Sequence, residues 1–362
     1  MLGLGERHRE LALKIAGGRR VTPAEGEMLF GDFSLALLGV LAAARKQEKS
    51  GSRVFYNRNI HIEPTNVCLF RCKFCSYRRS ENEPDAWCLS LDQVGEIARS
   101  QQGKPITEVH IVGGVHPSHD LDYYARMIRR VKQELPHVSV KAYTAVELAY
   151  IIRKAGLPLE QGLAILKDSG MDAIPGGGAE IFDEEVRSRI CPEKPDAGEW
   201  LETHRAAHRL GIPTNATILY GHIENAAHRI DHLLRLRELQ DETGGFDAFI
   251  PLKYRSRHNS MEAIGEVSLA EDMRMLAVSR IFLDNFPHVK AYWPMFGKQA
   301  ARLALSFGAD DIDGTIDDTT RIYSMAGAED ANPSMNVDEM RGMIAAASYE
   351  PVERDTFYNP VK

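Results

Sequence analysis

From Asn59 onward, short β-branched or apolar runs alternate with longer helical patterns, and this alternation restricts the fold more than any other feature of the chain. A helix between successive strands returns the chain for parallel pairing, so a parallel sheet is expected. Strand candidates fall at 60–62, 108–112, 138–142, 172–174, 214–219, 248–251, 289–292 and 311–313, with helical patterns at 91–99, 121–134, 200–210, 230–240, 270–286 and 298–307. Eight such units close a barrel, which predicts an α/β chain with a (β/α)8 TIM-like barrel over 51–315. Residues 1–50 read as a helical cap, and 316–362 as a C-terminal extension with a helix near 337–347. The pattern leaves open whether the first helices cap the barrel or join two copies into a homodimer.

All strands of a parallel barrel open their carboxyl ends on one face, so chemistry belongs to the loops that follow strands. The unusual residues obey this rule. A cysteine cluster follows the first candidate strand, Gly113-Gly114-Val115-His116 the second, Thr144 to Glu147 the third, and Gly176-Gly177-Gly178-Ala179-Glu180 the fourth. Gly221-His222-Ile223-Glu224 follows the fifth and Lys253-Tyr254-Arg255 the sixth.

The cluster is Cys68-Leu-Phe-Arg-Cys72-Lys-Phe-Cys75, which places three of the chain's five cysteines within eight positions. An odd, sparse set of cysteines excludes a disulfide-stapled scaffold. Three adjacent thiolates suit three corners of a 4Fe-4S cluster and leave one iron open. A structural zinc using Cys88 or His61 as fourth ligand is the competing reading, but zinc sites favour paired C-x2-C units and only one is present. Cys88 and Cys191 are read as structural. The charge balance of 44 Lys+Arg against 51 Asp+Glu gives -7, which argues against nucleic acid or an anionic membrane as partner. The longest apolar stretch, 33–44, is too short for a membrane span of about 20 residues and follows Asp32 rather than a basic region, so a cytoplasmic enzyme is the expectation.

The C-x3-C-x-aromatic-C loop, with Phe74 before Cys75, resembles the signature of the radical S-adenosylmethionine (SAM) superfamily. The resemblance implies that Cys68, Cys72 and Cys75 ligate one 4Fe-4S cluster, and that SAM chelates the open iron and is consumed as cosubstrate. It further implies that Phe74 and Tyr77 contact the cofactor near adenine, that Gly113 and Gly114 hold the methionine amino group, that Glu180 meets the ribose, and that Glu224 packs beside adenine and cluster. An acidic residue usually stands third in the glycine loop of the family. Here Val115-His116 follows, which leaves that contact to backbone carbonyls.

The segments His61-Ile-Glu-Pro-Thr-Asn-Val-Cys68, Pro175-Gly-Gly-Gly-Ala-Glu-Ile-Phe182, 190–194, 214–224, 288–293 and 307–315 resemble the aminofutalosine synthase family of the futalosine route to menaquinone. Two sister families share much of the pattern, the cyclic dehypoxanthine futalosine synthases and the synthases that join a deazaflavin precursor to tyrosine. The runs 141–147, 220–224 and Asp313-Gly-Thr315 favour the aminofutalosine synthases over both sisters. The implied reaction adds the 5'-deoxyadenosyl radical to 3-[(1-carboxyvinyl)oxy]benzoate, with aryl migration and bicarbonate loss. Arg78, Arg79, Lys253 and Arg255, with Arg257 beside them, are the candidate cations for its two carboxylates. His222 and Glu63 are candidate proton handlers, with His116 and His119 weaker ones. A low-potential flavodoxin or ferredoxin is the implied electron donor. A structural metal-binding protein without radical chemistry is the remote alternative.

Overall fold

The computed structural model describes residues 5–315, 321–327 and 334–361. Its strands are β1 (Arg53–Ile62), β2 (Glu108–Ile111), β3 (Ser139–Ala142), β4 (Thr214–Tyr220), β5 (Phe246–Lys253), β6 (His288–Val289), β7 (Asp311–Thr315) and β8 (Glu350–Glu353). Ladders join β1 to β2, β2 to β3, β4 to β5, β5 to β6 and β7 to β1, all parallel. Single-residue bridges close the two remaining gaps. Lys141 pairs with Ala173 and Ile174 with Thr214 on one side, and Lys290 with Asp311 on the other. With 173–174 counted as the fourth strand, eight parallel strands complete the expected barrel.

Side chains alternate across a strand, and the barrel uses both faces. Ile60, Ile62, Val109, Ile111, Val140 and Ala142 pack outward with Val94, Tyr124, Ile128 and Leu148 of the surrounding helices. The intervening residues are polar: Asn57, Asn59 and His61 on β1, Glu108 and His110 on β2, Lys141 on β3, and Asn215 and Thr217 on β4. A barrel whose inner face is polar encloses a site rather than an apolar core. These polar positions also explain why β1 begins seven residues before the expected strand, since Asn57-Arg58-Asn59 does not read as a strand.

Two terminal segments sit differently from expectation. The helices Glu6–Ala16, Pro23–Phe30 and Leu35–Ser50 pack on the barrel's outer helices. A Cβ at Gly26 would come within 2.7 Å of Ile230 and 2.9 Å of Phe282, and Arg274 donates to the carbonyls of Leu29 and Phe33 at 2.9 Å. None of residues 5–50 lines the central cavity, so this layer buttresses the wall instead of covering the mouth. Cover comes from the C-terminal segment. The N–H groups of Arg321 and Ile322 donate to the Glu63 carboxylate at 3.0 and 3.3 Å, which brings Ile322 and Ala326 over the cavity. β8 was not expected; it pairs with Arg53–Tyr56, extending the sheet below the residues of β1 that meet β2.

Candidate active site

The cysteine loop leaves β1 and is tied down by backbone hydrogen bonds. Cys68 N–H donates to Arg79 O at 3.1 Å, Leu69 N–H to Val115 O at 3.0 Å, and Lys73 N–H to Ile190 O at 2.8 Å. Burial pushes the thiols of Cys68 and Cys72 up, with Lys194 partly offsetting it. Lys194 itself is driven upward despite its burial by Cys72 and Glu180. Its ammonium is paired with Glu180 and lies 5.4 Å from the Phe74 ring centroid. Three soft thiols on one loop, beside a buried cation that favours thiolate, form a donor set suited to an iron–sulfur cluster with three protein ligands. Cys191 is buried behind this loop, close enough to Lys194 to raise it.

Glycines bring backbone close to this loop. A Cβ on Gly113 would stand 2.8 Å from Thr65 O, and one on Gly114 only 2.3 Å from Val67 O. Gly114 N–H donates to Thr65 O at 2.7 Å, locking the loop after β2 against the start of the cysteine loop. Glu147 supports the same loop from the third βα turn. It is buried in a capping box with Thr144, and the nearby Gly113 amide favours its charged form. Burial pushes its carboxyl up to about 7, against the lowering effect of those hydrogen bonds. Tyr143 just beyond β3, Glu180 in the glycine-rich loop and Asp313 within β7 hold left-handed backbone, with φ of 61°, 50° and 70°. Such conformations cost roughly 1–3 kcal/mol each and concentrate where side-chain direction matters.

The central cavity, about 310 Å³, opens on Phe74, Cys75 and Tyr77 at one end and reaches the inner strand residues Glu108, His110, Lys141 and Asp313 at the other. Its cations are Lys141, Lys194, Lys253, Arg255 and Lys290. Each is anchored by a carboxylate: Lys141 to Glu108 at 2.8 Å, Lys253 to Asp272 at 2.9 Å, Lys290 to Asp313 at 2.5 Å, and Arg255 to Glu266 at 3.2 Å. An ammonium has three donors, so one anchor leaves donors for a ligand. The side chains of buried Asn57 and Asn59, the His110 Nε2 and one Asp313 oxygen have no hydrogen-bond partner among the described residues. Leu219, Ile250, Leu252, Tyr292 and Met295 supply apolar wall.

The structure separates the expected site residues into groups. Phe74, Tyr77, Gly113, Glu180, Lys253 and Arg255 line the cavity with Cys75, whereas Cys68 and Gly114 lie behind it. Arg78 and Arg79 do not line it. Arg78 is spent on Cys68 O and Ser80, and Arg79 on Asp85 and three backbone carbonyls, because a guanidinium close to a loop finds carbonyls first. Both instead border a shallow depression outside the cysteine loop with Arg71 and Cys72. Arg257 lies outside the cavity lining as well.

His222 and Glu224 also lie outside the lining. His222 Nδ1 accepts from Ile223 N–H at 2.7 Å and its Nε2 faces Leu219 O at 3.0 Å, while burial lowers its pKa. Glu224 accepts from the N–H groups of Gly221 and His222 and from Arg229, so it folds its own loop. Glu63 is occupied by the Arg321 and Ile322 amides. The residues that sequence reasoning missed, Lys141, Lys194, Lys290, Glu108 and His110, lie mostly inside strands or at strand ends. Their signal was a charge at every second position of a buried strand.

Comparison with known proteins adds to this geometry. Residues 62–236 match the radical SAM superfamily model, and residues 243–362 match the CofH/MqnC C-terminal region. The chain is 41% identical over 97% of its length to the aminodeoxyfutalosine synthase of Streptomyces coelicolor and 40% identical over 97% to that of Thermus thermophilus, covering 93% and 95% of those proteins. It is 39% identical over 84% to the 5-amino-6-(D-ribitylamino)uracil–L-tyrosine 4-hydroxyphenyl transferase of Methanopyrus kandleri, covering 83% of it. Among solved structures, methylornithine synthase superposes with a TM-score of 0.75 at 17% identity, covering 94% of this chain and 97% of that one. The FeFe-hydrogenase maturase HydG of Carboxydothermus hydrogenoformans gives 0.76 at 16%, covering 98% and 81%; both likenesses concern the fold.

Proposed function

The chain belongs to the aminodeoxyfutalosine synthase family of radical SAM enzymes, and we propose from that premise how its cavity serves the reaction. The enzyme joins the 5'-deoxyadenosyl group of SAM to 3-[(1-carboxyvinyl)oxy]benzoate, yielding 6-amino-6-deoxyfutalosine for menaquinone synthesis. When bound, the 4Fe-4S cluster and SAM supply the carbon radical that adds to the enol-ether double bond.

The remaining work falls to the chain. Cys68, Cys72 and Cys75 would hold the cluster through three thiolates, and SAM would take the position they leave open. Backbone at Gly113, which lines the cavity, receives the methionine end, and Gly114 behind it lets the loop pack against the Thr65 and Val67 carbonyls. Glu180, held by Lys194, faces the ribose, and Phe74 and Tyr77 border the adenine side. The observation that carries the substrate reading is the set of cations that line the same cavity. Lys141, Lys253 and Lys290 offer N–H donors to two carboxylates, while Arg255 is committed to Glu266 and to the carbonyls of Met295 and Gly327, and Leu219, Ile250, Leu252 and Met295 enclose an aromatic ring between them. Fixing both carboxylates places the alkene toward the cysteine end, a positioning task in which orientation supplies most of the rate. The Ile322–Ala326 cover, pinned on Glu63, keeps water from the reacting carbon.

The depression bordered by Arg71, Arg78, Arg79 and His258 lies over Cys72 and Cys75, and it is where an acidic low-potential electron carrier docks. No helix among the described residues is long and apolar enough to cross a membrane, and the site of action is the cytoplasm.

Reduced, cluster-loaded enzyme incubated with SAM and the enolpyruvyl benzoate is expected to give a nucleoside adduct identified by mass. 5'-Deoxyadenosine alone, with the benzoate unconsumed, would refute the assignment.

A further inference from the structure

Outside the cavity, a second set of metal-ligating side chains converges on the outer side of the loop that follows β2. The ligand atoms of Cys88, His116 and His119 all lie within 4.8 Å of one another. The Cys88 Sγ stands 3.6 Å from the His119 Nε2. A tetrahedral zinc ion with a bond of about 2.3 Å to sulfur and about 2.05 Å to nitrogen separates those two atoms by about 3.5 Å, so this pair already has the required spacing.

His119 is stacked between His116 and Tyr123, with ring centroids at 4.2 and 3.7 Å, so the two imidazoles lie face to face and His116 has to turn out of the stack to aim its lone pair at an ion held by Cys88 and His119. Lys154 donates to the carbonyls of Pro117 and His119, and Tyr123 Oη donates to Leu89 O at 3.1 Å beside Cys88. The His116 Nδ1 accepts from Ser118 N–H at 3.2 Å, one long hydrogen bond that a metal on that nitrogen would replace. Water can complete the coordination, as it does at zinc sites with three protein ligands.

We propose that Cys88, His116 and His119 form a binding site for a zinc-class divalent ion, separate from the cysteine triplet, which braces the glycine loop. One thiolate and two imidazoles suit a borderline-soft divalent ion better than magnesium or calcium. The bracing follows from connectivity. Cys88 pairs with Thr65 in an antiparallel bridge, Thr65 O accepts the Gly114 N–H, and His116 lies two residues beyond Gly114. An ion shared by Cys88 and His116 would therefore clamp Thr65 and Gly114 between its ligands.

The test is calorimetric titration of anaerobic, cluster-loaded full-length enzyme with Zn²⁺, with iron followed in parallel. One equivalent should bind while all iron is retained. Cys88→Ser and His119→Ala, at an exposed and a half-buried position, should each weaken binding at least tenfold while leaving iron content unchanged. Zinc should also slow amide hydrogen exchange across 113–119 in the parent and not in Cys88→Ser. Absence of binding, unchanged affinity in both variants, or zinc uptake matched by iron release would overturn the site. Binding with unaltered exchange at 113–119 would overturn the bracing.

Discussion

Glu147 gives a prediction whose size can be worked from its surroundings. Its carboxylate accepts the Thr144 N–H and hydroxyl at 2.7 and 2.8 Å, but complete burial outweighs them and raises its pKa from the ordinary 4.5 to about 7. A carboxyl raised on folding stabilises the fold fully below the unfolded value of 4.5 and loses that contribution as pH rises through 7. At about 1.4 kcal/mol per tenfold, the whole loss is about 3.4 kcal/mol, of which about 2.5 kcal/mol falls between pH 5 and pH 8. Glu147→Gln keeps an acceptor for Thr144 and cannot ionise. The unfolding free energy of the variant minus that of the parent should therefore rise by about 2.5 kcal/mol across that window, since other titrations cancel in the difference. Urea unfolding of both chains at pH 5, 6, 7 and 8 measures it. A flat difference, or one that falls with pH, would refute the claim that burial governs this group.

Other outcomes follow from the same coordinates. Cys68→Ala, Cys72→Ala and Cys75→Ala should each lose the cluster on anaerobic reconstitution, while Cys191→Ala keeps its iron. Removing the Lys290–Asp313 pair together, as Lys290→Met with Asp313→Asn, strands no buried charge and should raise KM for the dicarboxylate about 10- to 100-fold, as loss of one charged hydrogen bond requires. Arg79→Ala should leave that KM within about threefold, the scale of a surface ion pair. Gly114→Ala drives a methyl group into the Val67 carbonyl and should cost about 1–3 kcal/mol and weaken SAM binding, whereas Gly342→Ala, in a helix with nothing within 4 Å, should gain about 0.5–1 kcal/mol. Glu108, buried but held at about 2 by Lys141, Arg354 and Lys290, stabilises the fold above pH 4.5, and that contribution should disappear in acid unfolding between pH 4.5 and 2.

Legibility in the sequence tracked how local each signal was. Strand–helix alternation is local, so eight units and a closed barrel could be counted, and C-x3-C-x2-C on the first loop could be placed. β8 escaped because Glu350-Pro-Val-Glu353 has no apolar alternation; it is a strand because β1 offers it an edge. The cations of the cavity escaped for a related reason. A search confined to loops after strands found Arg78 and Arg79, whose long side chains are satisfied by nearby carbonyls, and passed over Lys141, which points inward from mid-strand. A buried lysine in a strand is costly unless something needs its charge. Glu108 is its partner on the neighbouring strand, paired through β2–β3 register that places His110 opposite Lys141. That register is a property of the closed barrel, so the identity of the inner cations becomes readable only once the strands are aligned. The same dependence explains Glu63 and His222. Both stand in motifs that suggest chemistry, yet the amides of Arg321 and Ile322 occupy the first, and its own loop occupies the second. A polar residue near an active site acts on substrate only with the donors and acceptors that folding leaves unspent, and here those lie on Lys141, Lys253 and Lys290, whereas Arg255 is held by Glu266 and the carbonyls of Met295 and Gly327.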